Sequence, residues 1–423
     1  MTVRRLAAVD AQMYWMSAKM PNDQFLLYGF AGQPSDLDAA IDVIGERARQ
    51  CPELTLRVED RSFVTYPAWV TGDVDACQFV VHALEANTWA DCLAAVSRLA
   101  EDQLDARVMT WRLHVFTPID GVPGAPGAGT VAVLQVAHAL ADGVRASALA
   151  AQLFGRAAAV SAVTPPRLRG VWLPFSLQAA RAHRQLVRDT EAGLVSPQAP
   201  SRPPLRSNAR PAGERTVRTV VRHRAQLFGP TVTVGVLAAV STALSGHLRE
   251  LGDDPTTLGA EVPMAKAGVR QAHNHFGNVG VGLYPALDPA ARACRIADDL
   301  ARRRIRGQHP AMRASSRAFA AVPAPLLRWG VAQFDPDVRS PTATGNTVVS
   351  SVDRGAADLR FGEAPVVVTA GYPALSPMMG LTHGVHGIGD TVAVSVHAAE
   401  SAIGDVDAYV QRLDSALSGR STR

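Results

Sequence analysis

The sequence is poor in cysteine, and this shortage excludes two common kinds of site. The 423 residues include four cysteines, which lie far apart and form no C-x-x-C pair. This spacing argues against a zinc site and against a disulfide framework. We therefore interpret Cys51, Cys77, Cys92 and Cys294 as buried free thiols.

Lysine is also scarce, so arginine supplies nearly all of the positive charge. Only Lys19 and Lys266 are lysines, and the formal net charge is +4. With a pI near 9.1 the chain is able to contact anionic surfaces, but so small an excess does not require a nucleic-acid partner. We expect no nucleic acid among its partners.

Several sequence signals are missing altogether. No run of about 18 uncharged apolar residues is present, and Asp10 interrupts the stretch where a signal peptide needs an apolar core. We therefore expect a cytoplasmic protein. The chain has no G-x-G-x-x-G after a strand and no G-x-x-x-x-G-K-[ST], which disfavours nicotinamide and nucleotide enzymes. It also has no G-x-S-x-G, which argues against a serine hydrolase.

The length and the residue patterns indicate two similar halves. A chain of 423 residues exceeds what one hydrophobic core fills, so two domains of roughly 200 residues are expected. Apolar alternation and helical spacing predict sheet and helix in similar proportion in both halves, which indicates a repeated α+β unit. A Pro- and Arg-rich stretch separates them. We predict domains at 1–160 and 214–423, with a crossover linker at 161–213.

The stretch 131–150, VAVLQVAHALADGVRASALA, carries the candidate chemistry. Its apolar start predicts a buried strand, and the alanine-rich end predicts a helix. His138 lies at the mouth of the strand, four residues before Asp142 and Gly143, a layout that suits a general base on a rigid element. A histidine beside a strand also occurs as a hydrogen-bonded core residue, and Asp-Gly is common in turns. This stretch alone leaves both interpretations open.

Several stretches, taken in order, resemble the bacterial wax ester synthase/diacylglycerol acyltransferase family. That family belongs to a wider group of CoA-dependent acyltransferases and condensation domains that share an H-x-x-x-D-G motif. The resemblance covers nearly the whole chain, so it is far more specific than the motif alone. The motif matches at His138, Asp142 and Gly143, and Asp10 matches near the start, with Tyr14 in the place of an aromatic residue. The stretches that resemble the family pattern are Gln103 to Asp105 with Trp111, His275 to Asn278, and Asn346 to Ser351.

The resemblance implies a fold and a reaction. We expect two chloramphenicol-acetyltransferase-like sheet-and-helix domains forming a pseudo-dimer, with the active site at their interface. The implied reaction moves a long-chain acyl group from acyl-CoA, as co-substrate and without another cofactor or a metal, to a diacylglycerol or a fatty alcohol. His138 would act as the base, with Asp142 pairing with an arginine to fix the loop, and Gly143 would keep the acyl tunnel open. Asn278 or a backbone N–H would meet the oxyanion, and Trp111 is a further candidate for substrate binding.

Three positions depart from the family pattern. Ala137 replaces the first histidine of H-H-x-x-x-D-G, Thr233-Val234 stands where Asn-Asp is usual, and Ser351-Val352-Asp353 stands where Asn-Val-Pro is typical. One imidazole is enough to carry a proton, so the first change is compatible with activity. The other two leave open a relative with a changed acceptor, a condensation-type acyltransferase, or a catalytically silent lipid-binding protein.

Lipid substrates would bring the protein to a membrane or to a lipid droplet. Two stretches place apolar and basic residues together, Val171 to Arg188 and Ala318 to Val331. Such stretches suit peripheral contact with an anionic surface at the inner membrane face. Ordinary packing between domains remains the alternative. The sequence does not specify the oligomeric state.

Overall fold

Two six-stranded mixed sheets and one small sheet form the framework. The computed structural model describes residues 4–157, 160–165 and 172–419. In spatial order the first sheet contains β12 (Arg360–Phe361), β13 (Ala364–Gly371), β2 (Gln24–Phe30), β7 (Gly129–Val136), β6 (Trp111–Ile119) and β5 (Phe79–His82). The second contains β10 (Phe276–Gly282), β9 (Gly259–Ala265), β11 (Thr347–Asp353), β14 (Leu381–Ile388), β15 (Thr391–Ala399) and β8 (Arg215–His223). The small sheet contains β1 (Arg4–Arg5), β4 (Ala68–Thr71) and β3 (Leu56–Glu59).

Helices cover these sheets, and several begin at a side-chain cap. Asp36 accepts a hydrogen bond from Ala39 N–H at the start of α2. Thr231 precedes a nearly all-apolar stretch, where the sequence predicts a helix cap, and it accepts a hydrogen bond from Val234 N–H at the start of α6. The helices are α1 (Ala8–Ser17), α2 (Leu37–Gln50), α3 (Trp89–Leu99), α4 (Gly143–Leu153), α5 (Trp172–Glu191), α6 (Val232–Glu250), α7 (Pro289–Gln308), α8 (Pro310–Ala320), α9 (Ala324–Ala332), α10 (Glu400–Ile403) and α11 (Val406–Leu417).

The central strand β7 is buried along its whole length, as the sequence predicted. It pairs antiparallel with β2 on one side and with β6 on the other. Alternate side chains enter different cores: Leu134 packs in the cluster that includes α2 and α4, whereas Val133 packs in the cluster shared with α3 and the second sheet. Burying each such side chain contributes about 1.5–3 kcal/mol, so the strand is a rigid support for the residues that follow it.

Two strands of the second half complete the first sheet. β13 pairs antiparallel with β2, placing Gly371 opposite Leu26 and Thr369 opposite Tyr28. One core cluster also contains residues from both sheets, such as Leu27 and Ala393. The predicted fold class is confirmed: the chain is an α+β protein with two sheet-and-helix units joined as a pseudo-dimer. The boundaries at 160 and 214 stay a prediction, because β12 and β13 follow residue 214 in the chain but belong to the first sheet.

Several local expectations need correction. Cys77 and Cys294 are exposed, so only Cys51 and Cys92 are buried thiols. The apolar stretch Phe63 to Val70 predicts a strand, but β4 begins only at Ala68, and Phe63 and Val64 are exposed. The sequence pattern did not indicate β14. The linker contains α5, a helix of 20 residues that packs beside α8. Its residues 166–171, which include Val171, lie outside the described residues.

One described helix, α6, is long and apolar enough to cross a membrane by length and composition. Its most apolar window is 72% buried inside the protein. Helices of this kind are buried between layers of a folded domain. The apolar surface of α6 therefore belongs to the second core, where Leu237 and Leu244 are completely buried.

Candidate active site

The imidazole of His138 lies where the two halves meet, two residues beyond the end of β7. It is half-buried, and its ring stacks on Phe276 of β10 with centroids 5.8 Å apart. Nδ1 is buried without a hydrogen-bond partner in the described part of the chain, whereas Nε2 keeps access to solvent. Burial lowers the pKa of His138 from its ordinary value, since a charged ring would lose hydration. The ring is therefore neutral at pH 7 and able to accept a proton.

Asp142 is buried and fixes the turn that follows His138. One carboxylate oxygen accepts the N–H of Arg145 at 2.9 Å, which caps α4. The other accepts from Arg270 at 2.7 Å and from the N–H of His275 at 2.8 Å. The arginine pairing predicted for Asp142 is confirmed. These contacts tie the motif to the loop before β10.

The loop before β10 is held equally firmly by Asp10 of α1. The Asp10 carboxylate accepts the backbone N–H groups of His273 and Asn274 at 3.0 and 2.9 Å, and the Asn274 amide at 3.0 Å. Burial raises the pKa of Asp10 to about 6, while these hydrogen bonds favour the charged form and offset part of that effect. Asn274 Nδ2 also donates to the backbone carbonyl of His138 at 2.7 Å. The family-like Asp10 thus acts on His138 through Asn274.

His273, in the same loop, has contacts that indicate a structural role. His273 is almost completely buried, and its ring stacks on Trp69 with centroids 4.9 Å apart. Nδ1 lies 2.7 Å from the carbonyl of Leu140 and Nε2 lies 2.8 Å from Arg4. Burial lowers the pKa of His273 well below its ordinary value, and the charge of Arg145 lowers it further. With both ring nitrogens of His273 engaged, this residue supports the loop, whereas Nε2 of His138 is able to accept a proton.

Gly143 lies at the start of α4 against the second half. A Cβ built at this position would be 3.4 Å from a methyl group of Val352 and 3.7 Å from the side-chain oxygen of Gln24. The Gln24 amide itself donates to the carbonyl of Ala141. A side chain at position 143 would therefore contact the second half, and the role of Gly143 in keeping an acyl tunnel open stays a prediction.

Asn278 and Trp111 have other contacts. Asn278 is exposed on β10, two residues after Phe276 and thus on the same face of the strand, and its amide donates to Glu261 of β9. Trp111 is completely buried in the first core, and its indole N–H donates to the carbonyl of Leu54 at 2.7 Å. The contacts of Trp111 are structural. Roles of these two residues in substrate binding stay predictions.

Two of the positions that depart from the family pattern touch each other. The hydroxyl of Thr233 on α6 lies 2.9 Å from that of Ser351 on β11. The next residue, Val352, is the one that packs against Gly143. The departures therefore lie together, beside the motif, and alter the surroundings of His138 rather than the base itself.

The sequence did not single out Arg270, Asn274 or Gln24, although each contacts the motif. Arg270 and Asn274 belong to a polar stretch before a strand, and Gln24 begins β2. Only the matching HFGN at 275–278 could have drawn attention to the loop, since the contacts themselves join residues 117–136 positions apart.

Comparisons with known proteins agree with this arrangement. A family model for the wax ester synthase/diacylglycerol acyltransferase catalytic domain matches residues 6–250, and the model for the C-terminal domain of the same family matches residues 273–419. No curated protein sequence matches the chain.

Solved structures show the same fold at low sequence identity. The wax ester synthase/diacylglycerol acyltransferase from Marinobacter aquaeolei VT8 superimposes with a TM-score of 0.65 at 17% identity, covering 98% of both chains. The starter condensation domain of rhizomide synthetase RzmA gives 0.61 at 13% identity, covering 100% of this chain and 96% of that one. The condensation domain of the Monacolin K polyketide synthase MokA gives 0.55 at 13%, covering 99% and 97%. Since the two family models together span most of the sequence, the chain belongs to the wax ester synthase/diacylglycerol acyltransferase family, a family of acyltransferases.

Proposed function

We propose that this protein transfers a long-chain acyl group from acyl-CoA to the hydroxyl of a diacylglycerol or a fatty alcohol, giving a triacylglycerol or a wax ester. The observation that carries the proposal is the state of His138: a neutral imidazole, anchored through its backbone by Asn274, with Nε2 open at the boundary of the two halves. A ring in this state is suited to general base catalysis.

The reaction then proceeds without an acyl-enzyme. Nε2 of His138 removes the proton from the acceptor hydroxyl as its oxygen attacks the thioester carbonyl. The C–O bond forms, the C–S bond breaks, and the imidazolium returns the proton to the departing CoA sulfur. Asp142 takes no proton in this scheme, because its carboxylate is held by Arg270 and by backbone N–H groups.

The family and the related structures support the substrate class. The RzmA starter condensation domain with which this fold superimposes is described in complex with C8-CoA. That protein therefore binds an acyl-CoA on a fold of this type. For this chain, acyl-CoA as donor is part of the proposal.

A changed acceptor is the second candidate, and the Thr233–Ser351 pair favours it. These residues replace two family positions and form a hydroxyl pair at 2.9 Å. Hydroxyl groups hydrogen-bond to polar atoms of a ligand, and a site built to do so discriminates between acceptors. On this proposal the chemistry at His138 is kept and the acceptor carries additional polar groups near its hydroxyl.

A substrate matrix tests both candidates. The purified chain is incubated with acyl-CoAs of increasing length against fatty alcohols, diacylglycerol and more polar alcohols, and free CoA is followed together with the ester product. Release of CoA with fatty alcohol or diacylglycerol supports the first candidate, whereas release only with polar alcohols supports the second. Absence of acceptor-dependent CoA release in every combination contradicts both and favours a silent lipid-binding relative.

We also propose that the chain meets its lipids by peripheral contact from the cytoplasmic side, at the membrane face or at a droplet. Exposed apolar side chains support this: on α9, Leu326 is 46% and Trp329 is 61% exposed, and on α5, Trp172 is 40% exposed. Leu327, which the sequence placed in the same surface, is buried in the first core. The proposed surface is therefore narrower than the sequence implied.

A further inference from the structure

A cavity lies in the C-terminal half, away from His138. Its volume is about 510 Å³, and it is lined by residues of the segment 196–203, by residues 256–258 just before β9, by the end of β10 and by one face of α7. Phe276, which stacks on His138, begins β10, and Gly282, which lines the cavity, ends it. Six residues of extended strand span roughly 20 Å, so this cavity is separate from the site of acyl transfer.

The walls of the cavity are strongly basic. Arg202, Arg295, Arg302 and Arg303 line it, against Asp299 as the one carboxylate. The helix α7 contributes most of this charge: it carries six arginines against two aspartates, an excess as large as the formal net charge of the whole chain, +4. Three of these six arginines, Arg295, Arg302 and Arg303, line the cavity.

The arginines of α7 lack acidic partners. In residues 4–157, 160–165 and 172–419, none of the six forms an ion pair with a carboxylate. Asp299 offsets only part of the charge of the cavity, because it is one carboxylate against four arginines among the lining residues. Its own hydrogen bonds come from the hydroxyl of Tyr284 and from Gly282 N–H. Arg303 donates to the carbonyls of Gly280 and Pro197, which leaves its charge uncompensated.

The cavity also has a fixed inner wall. Arg202 is 6% exposed, and its guanidinium donates to the carbonyls of Pro200 and Thr344 at 3.0 Å, while its Nε is buried without a partner in the described residues. A Cβ at position 259 would lie 2.0 Å from this Nε, so Gly259 is required to accommodate the side chain. A buried cation with an unpaired donor is costly unless an anion is close to it.

The backbone of Tyr284 is strained at the edge of this cavity. Its φ is 49°, and within the described ranges no other residue apart from glycines has a positive φ. Bulky residues rarely adopt this conformation, which persists where the surroundings impose it and is concentrated at ligand sites. The hydrogen bond to Asp299 holds the ring in place, and Arg295 lies over its face at 5.5 Å.

We propose that this cavity binds a phosphate ester. Guanidinium groups bind phosphate oxygens with paired N–H donors, and uncompensated arginines around a concave surface of this volume suit a ligand carrying more than one negative charge. A soluble nucleotide and the headgroup of an anionic lipid both present this chemistry. The site is an addition to the acyltransferase reaction and does not depend on it.

Direct binding measurements test the proposal on the full chain. The soluble probes are 3′,5′-ADP and inorganic phosphate, followed by calorimetry, and the lipid probe is a vesicle of phosphatidic acid in phosphatidylcholine, compared with phosphatidylcholine alone. The test variant combines Arg295→Gln with Arg302→Gln. The matched control combines Arg304→Gln with Arg317→Gln, two exposed arginines of α7 and α8 outside the cavity that remove the same charge. Circular dichroism checks that both variants fold.

We expect at least one phosphate ester to bind. Its affinity should be about tenfold or more weaker in the test variant and within about twofold of wild type in the control. Both variants lose the same charge, but only the test variant loses hydrogen-bond donors that line the cavity. Binding of 3′,5′-ADP that the test variant weakens identifies a soluble ligand, and binding only to phosphatidic acid vesicles identifies a lipid headgroup. Binding that neither variant weakens would place the ligand elsewhere, for instance at the proposed acyl-CoA site, and would overturn the proposal. Equal weakening in both variants would mean general electrostatic attraction and would overturn the proposal. So would the absence of binding by every probe.

Discussion

Asn274 donates its side-chain amide to the backbone carbonyl of His138 at 2.7 Å, although 136 residues separate them. The same Nδ2 donates to Asp10, so one amide links the first helix, the motif of the first half and the loop of the second half. The position of the proposed base therefore depends on residues from three separate parts of the chain.

Replacing His138 by alanine is expected to lower turnover about 10²- to 10⁴-fold, the usual contribution of a positioned base, while the chain stays folded. CoA release and thermal unfolding measure the two effects. His183→Ala, which changes an exposed histidine of α5, is the control and should keep wild-type turnover. Equal rates for the His138 variant and wild type, with both folded, would remove His138 from the mechanism.

The pH profile of kcat/KM should reflect the buried state of the base. Burial lowers the pKa of His138 from 6.5, and the base is active only when unprotonated. Activity therefore falls as pH drops through this lowered pKa, and the acid limb is expected below pH 6.5. Rates with the preferred acyl-CoA and acceptor between mildly acidic and neutral pH will show it. An acid limb above pH 6.5 would indicate that a different group takes the proton.

Asp142→Asn is expected to damage stability more than chemistry. Asp142 and Arg270 form an ion pair at 2.7 Å with side chains 5% and 13% exposed, and removing one partner of a buried pair costs about 3–5 kcal/mol. Asp407→Asn is the control, because its pair with Arg218 has the same 2.7 Å distance on the surface and should cost less than about 1 kcal/mol. Denaturant unfolding compares them. Unchanged stability with abolished turnover would show that Asp142 acts directly on His138.

Asn274→Ala should affect both stability and turnover. It removes the side-chain hydrogen bonds to Asp10 and to the His138 carbonyl. Asp10 keeps its two backbone N–H donors, so the His138 carbonyl is the acceptor left unpaired, at a cost of about 1–3 kcal/mol. Because the anchor of His138 is lost, kcat should fall more than KM rises. Unfolding curves and steady-state kinetics measure these effects. A variant with wild-type stability and kcat would show that Asn274 does not position the base.

Vesicle flotation tests the proposed lipid-facing surface. Replacing Leu326 and Trp329 by serine should reduce flotation with anionic liposomes at low salt, since apolar area is lost from the interface. Val269 and Val338, both 69% exposed, provide a control pair for the same substitution. The proposal fails when wild type does not float, or when both pairs of substitutions reduce flotation equally.

Local sequence patterns predicted the elements that are marked by an apolar run or by a capping residue. The apolar run at Val131 to Val136 is β7, and Thr231 caps α6 as expected. β14 was missed because its sequence LTHGVHGI alternates poorly, yet all eight residues are buried. Its His383 is tolerated inside the core because Thr347 and Tyr409 lie within hydrogen-bond distance of its two ring nitrogens, at 2.9 and 2.6 Å. Partners supplied by other elements are not visible in a local window.

The sequence predicted the proposed catalytic base but not the residues that surround it. The spacing from His138 to Gly143 and the family resemblance identified the motif and the arginine pairing of Asp142. The identity of that arginine, Arg270, and the bridging role of Asn274 follow only from how the two halves pack. A local sequence pattern does not show which of the 40 arginines lies near a given carboxylate.

The pairing of β13 with β2 also has a consequence for synthesis on the ribosome. β7 is complete at Val136, but β2 gains its second neighbour only when Gly371 has been made. At about 5–20 residues per second, translating the intervening stretch takes roughly ten to fifty seconds. Throughout this time the nascent chain presents an unpaired strand edge rich in apolar residues, which is prone to pair with other chains. We therefore expect the N-terminal half to need chaperone protection during synthesis, and chains truncated before residue 371 to be insoluble.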